Sequence, residues 1–156
     1  MDISFTKGGS NPNDLTMSRY IQHLISQGEH QQLDFKFQVN DSRKIARTLV
    51  SFANTDGGKL LIGVKDNGVV AGVHTDEEFH MVEAAATLYC KPEIDFACRQ
   101  WAVDGKHILE FDIPALAQKP AFSLAEDNRW MAYVRVADQN ILATPLQIKL
   151  WNRQQS

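Results

Sequence analysis

Residues 52–68, FANTDGGKLLIGVKDNG, connect a helix to a strand and then to a tight turn. The two glycines after the asparagine suit positive φ angles, so they predict a helix end and a sharp change of direction. Residues 60–64 form a nearly continuous apolar run, which is typical of a strand covered on both faces. The Asp-Asn-Gly that follows predicts a hairpin turn into a second strand over residues 69–73.

The residues before this stretch predict a helix, a strand and a second helix. Residues 14–27 carry apolar side chains at helical spacing and end at Gly28. In residues 33–37 apolar and polar side chains alternate, as in a strand with one buried face. The second helix begins near Asp41 or Ser42, either of which can cap it. The face opposite its apolar stripe is mostly basic and carries Arg43, Lys44, Arg47 and Ser51.

The residues after it continue this mixture of helices and strands. We expect a helix over residues 76–90, strands over 93–103 and 107–113, a last strand over 130–137 and a short helix from Pro145. The order predicts an α+β fold, with a mixed, mostly antiparallel sheet packed by helices.

Length and composition favour one domain. The 156 residues are 44% hydrophobic and 22% charged, which is enough apolar material for a core. Polar residues 1–13 predict a flexible N-terminal arm, and residues 14–152 a single domain. No apolar run approaches the roughly 20 residues that span a bilayer, so we expect a cytoplasmic protein without membrane association. Cys90 and Cys98 lack zinc-site spacing and are expected to be buried thiols.

The charges point in two directions. A formal net charge of −3 argues mildly against nucleic-acid binding. Several basic side chains could nevertheless form a local phosphate-binding surface. They are Lys36, Arg43, Lys44, Arg47, Lys59 and Lys65, and Arg135 on the late strand could join them. The alternative is an ordinary solvated face, with Arg135 paired to Asp138 or another surface acid.

Three segments together resemble the AlbA_2, or Schlafen AlbA-like, family. They are residues 29–36 (EHQQLDFK), residues 52–66 (FANTDGGKLLIGVKD) and residues 133–136 (YVRV). The resemblance covers roughly residues 27–144. Two positions depart from the family pattern: Asp34 stands where glutamate is usual, and Ala137-Asp138 replaces the glycine that commonly follows the arginine strand.

The resemblance implies a DNA- or RNA-binding domain, with a regulatory role and no cofactor required for binding. It also implies an alternative, because eukaryotic Schlafen relatives cut RNA with three carboxylates and a divalent metal. Carried over to this sequence, the catalytic and metal-binding residues would be Glu29, Asp34 and Asp66, holding Mg²⁺ or Mn²⁺.

Elementary chemistry allows such a site and also a simpler interpretation. Hard cations take carboxylate oxygens, and a bound metal lowers the pKa of water and neutralises charge on a phosphodiester. Acidic residues at strand ends are, however, usually solvated. Asp34 with Lys36 would then be a same-face ion pair worth less than about 1 kcal/mol, and Asp66 a turn residue.

The sequence also bears on two further function classes. Gly57-Gly58-Lys59 does not make a Walker A loop, because Leu60 stands in place of serine or threonine and the lysine enters a strand. An ATPase is therefore not expected. A protein-interaction or assembly module without nucleic-acid binding fits the negative net charge, and related two-lobed proteins suggest a homodimer by analogy.

Overall fold

A computed structural model describes residues 14–155, so the predicted arm over residues 1–13 lies outside it. The helices are α1 (Asp14–Ser26), α2 (Ser42–Ala53), α3 (Thr75–Leu88) and α4 (Pro145–Gln154). The strands are β1 (Leu33–Lys36), β2 (Gly58–Ile62), β3 (Cys90–Lys91), β4 (Ala97–Val103), β5 (Lys106–Ile113), β6 (Phe122–Leu124), β7 (Trp130–Met131), β8 (Tyr133–Val136) and β9 (Gln139–Leu142). The predicted α+β class is confirmed.

A central sheet in the order β1-β2-β5-β4 separates two apolar cores. The β1 and β2 strands run parallel, and the other pairs are antiparallel. Because side chains alternate along a strand, Phe35 and Leu61 face α1, whereas Leu60 and Ile62 face α2 and α3. The β1 strand is one edge of this sheet and β4 is the other.

The outer side of α2 is covered by further strands. A small β3-β6-β7 sheet and the β8-β9 hairpin pack against it. Ser51 and Thr48 are therefore 0% and 1% exposed, and the prediction that Ser51 faces solvent was wrong. The predicted last strand over 130–137 was also incomplete, since β7 and β8 are separate strands and β9 follows them.

The predicted hairpin after β2 forms only its turn. Lys65 N donates to Val69 O at 2.9 Å, but residues 69–73 form no strand and one isolated bridge joins Val64 to Val70. The cause is local backbone geometry: Gly63 and Gly72 have φ angles of +100° and +84°, which interrupt an extended chain.

The contacts at the end of α2 explain why residues 52–68 contain an asparagine at position 54 and a glycine at position 57. The Asn54 amide donates to Ala121 O and Tyr133 O, both at 2.9 Å, and Asn54 Oδ1 accepts from Ala121 N at 2.7 Å. Gly57 then turns the chain with φ +74°, where a Cβ atom would lie 2.7 Å from Ile113 O. The asparagine thus holds distant loops to α2, and the glycine is required by the close approach of β5.

The structure also shows the state of the two cysteines and the character of the helices. Cys90 and Cys98 are buried free thiols as predicted, and burial raises the pKa of each to about 12. Within residues 14–155, none of the helices combines the length and hydrophobicity needed to cross a membrane.

Candidate functional site

A basic cleft of about 300 Å³ lies between the end of β1 and the first turns of α2. Its cations are Lys36 from β1 and Lys44 and Arg47 from α2. Asp41 is the acidic residue in the lining, and its Oδ1 accepts from Arg43 N at 3.0 Å as the cap of α2. The cleft is therefore a local positive site in a chain of net charge −3, at the positive end of a helix dipole.

The three cations are held differently. Lys44 is exposed. The Arg47 guanidinium lies 5.3 Å from the centre of the Tyr133 ring, a cation–π contact that restricts it. Lys36 Nζ lies 3.0 Å from Asp34 Oδ2 with its side chain 36% exposed. Each cation therefore retains access to the cleft, although Lys36 is partly neutralised.

Three other predicted phosphate ligands lie outside the cleft. Lys59 projects from the opposite face of the sheet and pairs with Glu110 and Asp112. Arg43 donates to Ala125 O at 3.2 Å. Lys65 follows β2 and has its Nζ 5.3 Å from the Phe37 ring centre. The structure thus brings three of the predicted basic residues together in the cleft and places Lys59 on the other face of the sheet.

Arg135 is buried, which removes it from the set of phosphate ligands. It is 3% exposed, and its Nη2 donates to Leu33 O at 3.1 Å and to Asp34 Oδ1 at 3.2 Å. Its Nε and Nη2 also donate to His30 O at 3.3 and 3.2 Å, and Nη1 donates to Asn140 Oδ1 at 2.9 Å. The alternative interpretation, that Arg135 pairs with an acidic residue, is correct, but the partner is Asp34 rather than Asp138. These contacts connect β8 to β1.

Glu29 and Asp34 form a pair of neighbouring carboxyl groups at the edge of the sheet. Glu29 Oε2 also accepts from Phe35 N at 3.2 Å, a donor on the open side of edge strand β1. Burial and the adjacent Asp34 raise the pKa of Glu29 to about 7, and the more distant Asp66 charge adds to this. Below about pH 7, the half-buried Glu29 therefore carries the proton of the pair.

Asp34 has the opposite pKa shift. Burial alone would raise the pKa of Asp34, but the hydrogen bond with Glu29 and the charges of Lys36 and Arg135 outweigh it and lower the pKa. Its Oδ2 has the ion pair with Lys36 and no well-aligned hydrogen bond. Asp34 is therefore an ionised carboxylate that already forms ion pairs with Lys36 and Arg135.

The predicted carboxylates do not fit a metal site as they are arranged. Across residues 14–155, no group of three or more His, Cys, Asp or Glu side chains is placed to hold a metal ion. Asp34 is engaged by Arg135 and Lys36, Glu29 by Asp34 and a backbone amide, and Asp66 lies exposed in its turn. The Mg²⁺ or Mn²⁺ site remains a prediction from the sequence.

The carboxyl pair predicts a specific pH dependence of stability. Because the pKa of Glu29 rises from 4.5 to about 7 on folding, its stabilising contribution is complete below pH 4.5 and is lost as the pH rises through 7. Glu29→Gln imitates the protonated carboxyl, so the variant should keep that contribution at pH 8. Solvent screening limits the difference to about 1 kcal/mol.

Urea unfolding of wild type and Glu29→Gln at pH 5 and pH 8 measures this effect. Both pH values lie above the ordinary pKa of Asp34, 3.8, whose lowered pKa stabilises the fold at higher pH. The wild type should lose more stability than the variant between the two pH values. Equal losses would show that the Glu29 proton does not contribute.

Sequence reasoning missed one residue of the cleft and misplaced one residue next to it in the chain. Asn140 lines the cleft and donates from Nδ2 to Thr48 Oγ1 at 3.1 Å, but it lies on β9, which the sequence did not predict. Phe37 was assigned to the buried face of its strand, yet it is 47% exposed because β1 ends at Lys36. The alternating pattern of residues 33–37 did not reveal that the strand ends one residue before Phe37.

The chain belongs to the Schlafen AlbA_2 family, whose model matches residues 29–144. The DIP2311 protein from Corynebacterium diphtheriae has a similar structure, with a TM-score of 0.60 and 20% identity over 92% of this chain and 29% of that chain. The N-terminal domain of a RecG-related protein from Nitrosomonas europaea has a TM-score of 0.56 and 21% identity, over 83% of this chain and 95% of that chain. At these identities the two likenesses show a shared fold, and this chain spans under a third of the first protein.

Proposed function

We propose that this domain binds nucleic acid, DNA or RNA, by holding backbone phosphates in the basic cleft. The supporting observation is the meeting of Lys36, Lys44 and Arg47 in one concave site. Phosphate contacts by lysine and arginine release condensed counterions and supply most sequence-independent affinity. The negative net charge elsewhere then restricts binding to this site.

The rest of the cleft suits a phosphate backbone. Gln38, Asn40 and Asn140 supply uncharged polar groups to the lining, and such groups position a backbone without reading its sequence. Asp41 is engaged as the cap of α2, which lessens its repulsion of an anion. The RecG-related neighbour is named for a relation to a DNA helicase, which is compatible with this proposal.

A matched pair of variants tests the cleft. Lys44 is exposed on α2, so Lys44→Ala removes one cleft charge without disturbing the core. Arg99→Ala removes the same charge from an exposed position on β4, the opposite edge of the sheet. Fluorescence anisotropy at about 50 mM salt should show binding weakened several-fold by Lys44→Ala and unchanged by Arg99→Ala.

Equal effects of the two substitutions would mean that binding follows total charge and would contradict the proposed site. Loss of binding in Lys44→Ala must be accompanied by an unchanged circular dichroism spectrum and unfolding midpoint. The comparison thus separates a local contact from a general electrostatic or folding effect.

The other two hypotheses stay predictions from the sequence. The metal-dependent endoribonuclease would require Glu29, Asp34 and Asp66 to rearrange, given the pairing of Asp34 with Arg135. Assembly, including a homodimer, would bury apolar side chains that are 41–66% exposed on β9 and α4. These are Ile141, Leu142, Leu146 and Leu150.

A further inference from the structure

We propose that the cleft takes single-stranded nucleic acid, with one unpaired base stacked on the exposed ring of Phe37. This inference rests on the proposed nucleic-acid binding and adds the strandedness of the ligand and a base-contacting residue. It is carried by the exposure of the Phe37 ring, by its place in the chain between two residues that line the cleft and by its contact with Lys65.

Phe37 differs from the phenylalanines of the two cores in its exposure. Its exposed fraction is 47%, whereas the core phenylalanines are at most 4% exposed. Those are Phe35, Phe52, Phe79, Phe96 and Phe111. An isolated exposed apolar residue is common on protein surfaces and means little by itself. Its sequence neighbours matter here, because Lys36 and Gln38 both line the basic cleft.

The ends of two parallel strands bring another cation to the ring. Gly63 N and Val64 N donate to Lys36 O at 2.8 and 3.3 Å, which places the chain leaving β2 beside the chain leaving β1. Lys65 Nζ consequently lies 5.3 Å from the centre of the Phe37 ring. The exposed Phe37 ring therefore adjoins the cleft residues Lys36 and Gln38 in sequence and Lys65 in space.

Base stacking on this ring requires an unpaired base. In a duplex, the faces of internal bases are covered by their neighbours, whereas single-stranded binders combine a positive groove with aromatic rings that accept any base. The exposed ring and the adjoining cations thus favour the same ligand.

The test uses anisotropy titrations of wild type, Phe37→Ala and Phe37→Trp with labelled oligonucleotides of equal length. The probes are oligo-dT, a mixed-sequence duplex and an abasic strand. Wild type should bind oligo-dT more tightly than the duplex. Phe37→Ala should weaken oligo-dT binding roughly tenfold, and Phe37→Trp should retain it.

Two controls separate stacking from charge and folding. The abasic strand keeps the phosphates, so Phe37→Ala should leave its binding unchanged. Leu88→Ala removes a 62% exposed apolar side chain on α3 and should change nothing. Because no charge is lost, Phe37→Ala should also keep the salt dependence of wild type.

The outcomes distinguish this inference from the proposed function. If wild type binds oligo-dT and Phe37→Ala binds it equally well, or if the duplex binds more tightly, stacking on Phe37 is overturned while the phosphate cleft stands. If wild type binds none of the probes, the nucleic-acid proposal itself fails.

Discussion

Arg135→Ala is expected to lower the free energy of unfolding by about 3–5 kcal/mol, because it leaves a buried charge without its partner. The guanidinium is 3% exposed and is the partner of Asp34 Oδ1 at 3.2 Å. It also satisfies the carbonyl oxygens of His30 and Leu33 and lies 5.0 Å from the Phe52 ring centre. Urea unfolding followed by circular dichroism measures the loss.

Three further variants identify the cause of that loss. Arg135→Lys keeps the charge but not the planar set of donors, so it should recover only part of the stability. Asp34→Asn combined with Arg135→Met removes both charges and should be less damaging than Arg135→Ala alone. Val136→Ala, at a 55% exposed neighbour, should have little effect. An Arg135→Ala loss below about 1 kcal/mol would contradict the structural role.

Glu110→Ala is expected to cost about 3 kcal/mol, the second largest effect. Glu110 is 0% exposed; its Oε1 accepts from Trp101 Nε1 at 2.7 Å, and its Oε2 accepts from Tyr20 OH at 2.6 Å and from Lys59 Nζ at 2.8 Å. Its removal leaves Trp101 and Tyr20 without this acceptor, whereas Lys59 keeps Asp112, and it loosens α1 from the sheet. Burial and Glu110 also raise the pKa of Tyr20 to about 12.

Urea unfolding again provides the measurement, with spectrophotometric titration of tyrosine as a second one. In Glu110→Ala the pKa of Tyr20 should fall toward its ordinary value of 10.0. Asp112→Asn, at the half-buried rim of the same group, should cost less than about 1 kcal/mol. An unchanged tyrosine titration in Glu110→Ala would contradict the assigned network.

The elements set by local sequence were predictable, and those set by distant contacts were not. The α2 helix and the β2 strand follow from periodicity and from the glycines after Asn54. The partners of that asparagine are 67 and 79 residues away, so its role in fastening two loops has no local signal. The β9 strand was missed because its pairing depends on a hairpin built around Ala137 at φ +52°.

In the candidate site, too, the features set by local sequence were predictable and those set by distant contacts were not. Lys44 and Arg47 are three residues apart, so helical periodicity alone places them on one face. Arg135 looked like an exposed basic residue because the sequence does not reveal that β8 closes over α2. The hydrogen-bond partners of Arg135 on and before β1 are 101 to 105 residues away. Lys59 was misplaced for a related reason, since its partners lie on the neighbouring strand β5, which is distant in sequence.

The salt dependence of binding tests the basic cleft most directly. Three cleft cations predict that the logarithm of the association constant for an oligonucleotide falls linearly with the logarithm of salt concentration, with a slope of about −2 to −3. Lys44→Ala should reduce the size of that slope by about 1. Absence of binding to DNA and RNA at about 50 mM salt, or binding that salt does not weaken, would contradict the account.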